Sequence, residues 1–186
     1  YVLVPRLPGH GTTPGMLKST TWKDWVAATD LAAHHVRSVI GPDSPLFLGG
    51  YSHGGLIAVY YALNIVSGES EIKLQKLFLF SPAIGITRFA AFSGWHRMLS
   101  FIPYFKKIAW ESIEPEYDPF KYNSFPKIAG HQLYQLTRVT QKKIDQLKNN
   151  GKLGRLPPIQ TFSSVVDSTV LTPSLVTYLY DQLKPN

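Results

Sequence analysis

Residues 45–63 constrain the fold more tightly than any other stretch. An apolar run, Pro45-Leu46-Phe47-Leu48-Gly49, leads into Gly50-Tyr51-Ser52-His53-Gly54-Gly55. A second apolar run follows, Leu56-Ile57-Ala58-Val59-Tyr60-Tyr61-Ala62-Leu63. The first run has the length of a buried strand, and the second is apolar all round, as a buried helix is. A strand and a helix joined by so few residues must cross at close range. Gly50 and Gly54 carry no side chains to collide at that crossing. The stretch therefore predicts a strand, a sharp turn and a buried helix, with Ser52 at the apex.

The turn has the form G-x-S-x-G. In a strand-turn-helix context that pattern is a nucleophile elbow, which strains the serine backbone and exposes its hydroxyl above the sheet edge. The helix N-terminus adds backbone N–H donors and partial positive charge where an oxyanion would form. A glycine-rich turn at this place also suits a phosphate, but that chemistry wants G-x-G-x-x-G or a GK[ST] ending. Neither occurs here.

The rest of the chain alternates strands and helices. Tyr1-Val2-Leu3-Val4 reads as a short strand, followed by a Pro/Gly loop over residues 5–15. Thr21-Trp22-Lys23-Asp24 has capping-box character and opens a helix to about Ile40, which Gly41-Pro42-Asp43 stops. Leu77-Phe78-Leu79-Phe80 is a second buried strand ending at Ser81-Pro82-Ala83. From Ile86 to Pro158 the character changes: aromatics crowd residues 89–105 and 110. A helix is expected from Lys127 to Asn149, with Leu133, Leu136, Thr140, Ile144 and Leu147 on one face and Gly151 as its cap. Residues 159–166 form another apolar strand ending at Asp167, and Thr172-Pro173 opens a last helix. This order predicts a parallel α/β sheet, whose ligands bind at the carboxyl ends of its strands. Ser52 and Asp167 both fall just past such ends.

Composition narrows the function classes. With 44% hydrophobic and 17% charged residues, the 186 residues suffice for one domain with an inserted segment. No apolar run has the length of a bilayer span. The absence of cysteine excludes disulfides, thiolate metal sites and cysteine nucleophiles. It fits a cytoplasmic protein without fixing the compartment. The formal net charge is +7, but the basic residues at 106–107 and 142–155 are sparse, so nucleic acid is not an expected partner. Transient contact with an anionic membrane surface, or an acidic substrate, suits the charge better. His34 and His35 are adjacent on a helix and face different directions, and no metal-ligand spacing occurs elsewhere, so neither metal nor cofactor is expected. His10 is read as a holder of its loop, and His96 and His131 as packing or cleft residues. Asp43, Asp118 and Asp181, at a helix stop, a turn and a late helix, are poorer acid candidates than Asp167.

Three ordered blocks give the chain a family resemblance. They are Leu7-Pro8-Gly9-His10-Gly11 with Thr21-Trp22-Lys23-Asp24-Trp25, then Gly50-Tyr51-Ser52-His53-Gly54-Gly55, then residues 163–170 around Asp167. In these the chain resembles the serine α/β-hydrolases of the monoglyceride lipase, lysophospholipase and carboxylesterase branch. The resemblance implies a three-layer α/β-hydrolase fold, a mostly parallel sheet with helices on both faces and an inserted helical lid. Residues 1–85 and 159–186 would form the core and residues 86–158 the lid. Ser52 would be the nucleophile, Asp167 the acid that orients a histidine, and the His53 backbone N–H an oxyanion donor. The substrate would be a small-molecule or lipid ester, with thioester, acyl-transfer or peptide chemistry as alternatives on the same triad. A binding protein that has lost the triad is the non-catalytic alternative. The chain departs from the family pattern: no histidine follows Asp167. The second oxyanion loop would precede Tyr1, and the family places a further strand between Tyr1–Val4 and the strand before Ser52. The expectation is a central piece of a longer hydrolase.

Overall fold

The structure is a computed structural model and describes residues 1–84, 110–118, 122–164 and 172–183. Expectations for residues 86–109 and for Asp167 lie outside the described residues.

Helix α1 spans Trp22–Ile40. The Asp24 carboxylate takes hydrogen bonds from the Thr21 N–H and hydroxyl, both 2.7 Å, which closes the start of the helix as the sequence suggests. These bonds, the hydroxyl first, hold the Asp24 pKa below the usual carboxylate value. Strand β1 is Phe47–Tyr51, helix α2 is His53–Ser67 and strand β2 is Lys76–Phe80. Short strands β3, Trp110–Ser112, and β4, Phe125–Pro126, pair antiparallel. Helix α3 spans Lys127–Asn149. Gly151 follows it at φ +64°, with its N–H on the Lys148 carbonyl and the Lys152 N–H on the Leu147 carbonyl. That paired reversal requires a left-handed residue, which glycine adopts without steric cost. Strand β5 is Ile159–Phe162. A last helical stretch runs through α4, Thr172–Leu175, a π-helical turn at Val176–Tyr180 and α5, Asp181–Leu183.

β1, β2 and β5 form a parallel sheet in the order β1-β2-β5. Register sets Leu48 beside Leu77 and Leu77 beside Ile159, and alternation puts Leu79 and Thr161 on the same face. This face meets the main core, in which Leu56, Ile57 and Leu63 of α2 join Leu136, Ile144 and Leu147 of α3. Trp25 of α1 and Leu175 and Leu179 close it. The helix of the 86–158 segment thus shares one core with the helix that follows Ser52. The opposite sheet face carries Phe47, Tyr51, Phe80 and Phe162, exposed between 44% and 74%.

Residues 1–4 differ from expectation. They form no regular element and pair with no described strand, and Val2 and Val4 are both 86% exposed. A strand is defined by its neighbour, and here the neighbouring space is open. A groove of about 790 Å³ is lined by residues 1–5, by Ala33, Val36 and Ile40 of α1, and by β1. The Ser52 N–H points to Phe80 in β2, so alternation turns the backbone groups of Phe47, Gly49 and Tyr51 to the outer edge of β1.

Candidate active site

Ser52 is the single residue between β1 and α2. Its backbone sits at φ +50°, ψ −115°, a conformation that costs a residue with a side chain about 1–3 kcal/mol. Four hydrogen bonds fix it there. Its N–H donates to the Phe80 carbonyl (2.8 Å), and its own carbonyl accepts from Gly55 (3.0 Å), Leu56 (3.3 Å) and Ala83 (2.9 Å). The hydroxyl does not cap α2, and no described side chain hydrogen-bonds to it.

The glycines around the turn divide differently from the sequence reading. A Cβ on Gly50 would overlap the Gly54 carbonyl, so Gly50 is required for the close crossing. A Cβ on Gly54 would meet nothing within 4 Å. The second crowded glycine is Gly55, where a Cβ would fall 2.7 Å from the Pro82 side chain. The expected pair of Gly50 and Gly54 is therefore corrected to Gly50 and Gly55, because α2 leans on Ser81-Pro82-Ala83 as well as on β1. Ser81 also has a positive φ, +40°, and its N–H donates to the Phe162 carbonyl (2.8 Å). In the sequence Ser81 reads as a strand end. The Ser-Pro step after an apolar strand is the available signal for this support.

His53 opens α2, and a first helical residue has no intrahelical partner for its N–H. Its imidazole is tucked against the Trp25 indole, edge to face, with ring centroids 4.2 Å apart. Nε2 is buried and has no hydrogen-bond partner among the described residues. Burial pushes the imidazole pKa down to about 4, with a further push from the nearby His10.

The loop over residues 7–12 sits beside this pair. The Pro8 carbonyl accepts from Trp25 Nε1 (3.1 Å) and from His10 Nδ1 (3.2 Å). His10 thus holds its loop as the sequence suggests. The His10 ring also lies nearly parallel to Tyr122, 6.2 Å between centroids. The Tyr122 hydroxyl donates to the Gly9 carbonyl (3.0 Å) and accepts from the Thr12 N–H (2.7 Å). Gly9 has φ +81°, and a Cβ there would fall 2.6 Å from Thr20 Oγ1. Neither Tyr122, whose contact with Thr12 spans 110 positions, nor Trp25, whose contact with Pro8 spans 17, carries a local signal of a site role in the sequence.

The remaining candidates separate. Asp167, His96 and the aromatics of residues 89–105 lie outside the described residues. Trp110 begins β3, with the Lys18 ammonium 5.7 Å from its ring centroid. His131 lies in α3 with Nε2 3.0 Å from Gln135 Nε2, and its buried Nδ1 has no partner among the described residues. His34 and His35 are turned to Asp30 and to the Tyr1 hydroxyl, respectively.

The pattern of the alpha/beta hydrolase family matches residues 1–171, nearly the whole chain. The chain belongs to the alpha/beta hydrolase family. Among the curated relatives of this chain is the thermostable monoacylglycerol lipase of Bacillus sp. (strain H-257). It is 26% identical over 146 residues, which cover 78% of this chain and 54% of that protein. The chain thus spans about half the length of that relative. Two solved structures share the fold. One is described for the metagenome-derived lipolytic enzymes LipS and LipT, with TM-score 0.66 and 20% identity over 96% of this chain and 66% of that one. The other is the monoacylglycerol lipase of Paleococcus ferrophilus, with TM-score 0.61 and 18% identity over 95% and 66%.

Proposed function

We propose that this chain carries the nucleophile of a serine hydrolase that cleaves carboxylic esters of apolar acyl groups. One observation carries the reading: Ser52 alone joins strand β1 of the parallel sheet to a helix N-terminus, in a strained backbone that four hydrogen bonds hold. Family membership and the similarity to a monoacylglycerol lipase support it.

In this reading Ser52 Oγ attacks the acyl carbonyl, and its proton passes to a histidine acting as general base. The carbonyl oxygen takes the negative charge and lies against the His53 N–H and the positive end of α2. The C–O bond to the leaving alcohol breaks, and the histidine returns the proton to that alcohol. Water then attacks the acyl-Ser52 ester through the same base. Asp167 orients the histidine. Residues 86–158 are assigned to the lid, which α3 ties to the core.

The test is a series of p-nitrophenyl esters from acetate to palmitate, beside an aminopeptidase substrate, on the full-length protein. Each added methylene contributes about 0.8 kcal/mol when buried, so kcat/KM should rise several-fold per methylene until the pocket is full. Activity falling steadily from acetate onward contradicts the apolar acyl site. Faster peptide than ester cleavage moves the chain to peptidase chemistry. No turnover of any substrate, expected of a fold that keeps the elbow without a triad, contradicts the catalytic reading.

A further inference from the structure

The His53 ring, whose backbone N–H is assigned to the oxyanion, does not hold itself in place. Among the described residues its buried Nε2 has no hydrogen-bond partner, so the ring leans on the packing around it. The Trp25 indole supplies that packing at 4.2 Å. Trp25 is in turn tied by Nε1 to the Pro8 carbonyl, which lies in a loop and not in a regular element. That loop is tied at two points by one hydroxyl: Tyr122 bonds both the Gly9 carbonyl and the Thr12 N–H. Tyr122 lies just ahead of β4 and α3, in the segment assigned to the lid. A continuous line of contacts therefore runs from that segment through residues 8–12 and Trp25 to the residue after Ser52.

We propose that Tyr122 is a positioning residue for the reaction, clasping the 8–12 loop so that Trp25 holds His53, and with it the amide after Ser52, in the direction the oxyanion requires. This rests on the reading of Ser52 and His53 given above. It assigns the tyrosine no contact with substrate. Among the described residues, the hydrogen bond between the loop and Trp25 is made by the Pro8 carbonyl, so freeing the loop at Gly9 and Thr12 loosens this support of the indole. A small rotation of the first turn of α2 then moves the His53 N–H off line. Misplacement of about 1 Å at a reacting centre costs on the order of 100-fold in rate. Loosening short of that should cost about tenfold.

The experiment uses the full-length protein labelled with ¹⁵N-histidine, and the variants Tyr122→Phe and Trp25→Phe. Tyr122→Phe keeps the ring beside His10 and removes the hydroxyl. Steady-state hydrolysis of p-nitrophenyl butyrate is normalised to active sites counted with a fluorophosphonate. The His53 ring resonances and the thermal midpoint are recorded on the same samples. The proposal expects kcat to fall about tenfold in each variant, with KM within twofold and His53 resonances displaced. A lower thermal midpoint with unchanged kcat per active site overturns it, since the tyrosine is then only structural. Loss of kcat with unmoved His53 resonances overturns it too, because the effect then travels another way. If the unmodified protein turns over no ester, the catalytic reading fails by itself. The His53 resonances then decide this proposal alone: displacement in Tyr122→Phe supports the clasp, and identical spectra overturn it.

Discussion

Gly50 and Gly54 stand symmetrically about Ser52, yet the structure gives them opposite tolerances. A Cβ on Gly50 has the Gly54 carbonyl in its way, and that carbonyl is helix backbone that cannot step aside. Gly50→Ala should therefore destabilise by about 3 kcal/mol, the upper end of ordinary overpacking. Gly54→Ala meets open space near the start of a helix and should be neutral or stabilising by up to about 1 kcal/mol. Chemical denaturation of both variants checks the pair, and equal losses would contradict the crossing geometry. His53 gives a second residue-scale test. Its folded pKa of about 4 lies below its ordinary 6.5, so the unfolded chain binds the proton first as pH falls. Its contribution to stability is complete above about pH 6.5 and is lost as pH falls toward 4. The loss amounts to about 3 kcal/mol at about 1.36 kcal/mol per pKa unit. Replacing it in His53→Leu should flatten the pH dependence of stability across that window. An unchanged slope would mean that the buried imidazole is not its source.

Helix α3 tests how the elements join. Leu136 and Ile144 are buried in the same core as Leu56 and Leu63 of α2. Lys143 adds a polar tie, with its ammonium on Asn64 Oδ1 (2.5 Å) and Glu69 Oε1 (2.6 Å). Leu136→Ala should cost about 2–5 kcal/mol and lower the stability of the whole in one transition. Two separated transitions would show that α3 belongs to an independent unit. α3 was legible from its sequence as an element with its approximate bounds, because a 3.6-residue period and a glycine reversal are local signals. The same holds for α1, with its Thr21–Asp24 start, and for the strand-turn-helix around Ser52. Residues 1–4 read equally well as a strand and are not paired, because pairing is decided by a neighbour and not by β-branched residues. β3 and β4 passed unnoticed, being too short to show alternation. Of the site, the strained serine was legible from its glycines. Gly55 against Pro82 and Tyr122 across the loop were not, since both are contacts between distant segments.

At the scale of the whole molecule, two surfaces are unusual for a folded domain. One is the sheet face with exposed Phe47, Tyr51, Phe80 and Phe162, and the other is the open edge of β1 along the apolar groove. Exposed apolar area of this kind marks surfaces that associate, and an unpaired strand edge recruits other strands. Residues 1–186 should therefore bind ANS strongly and associate in a concentration-dependent way. A monomeric and ANS-silent chain would contradict this. The account as a whole turns on Ser52, the residue that sheet, helix and loop converge to hold. Its most direct test is treatment of the full-length protein with a fluorophosphonate, followed by mass spectrometry of the peptide containing residues 50–55. The account predicts a single covalent phosphonyl adduct on Ser52, absent from Ser52→Ala. An adduct on another residue, or labelling that persists in Ser52→Ala, would contradict it.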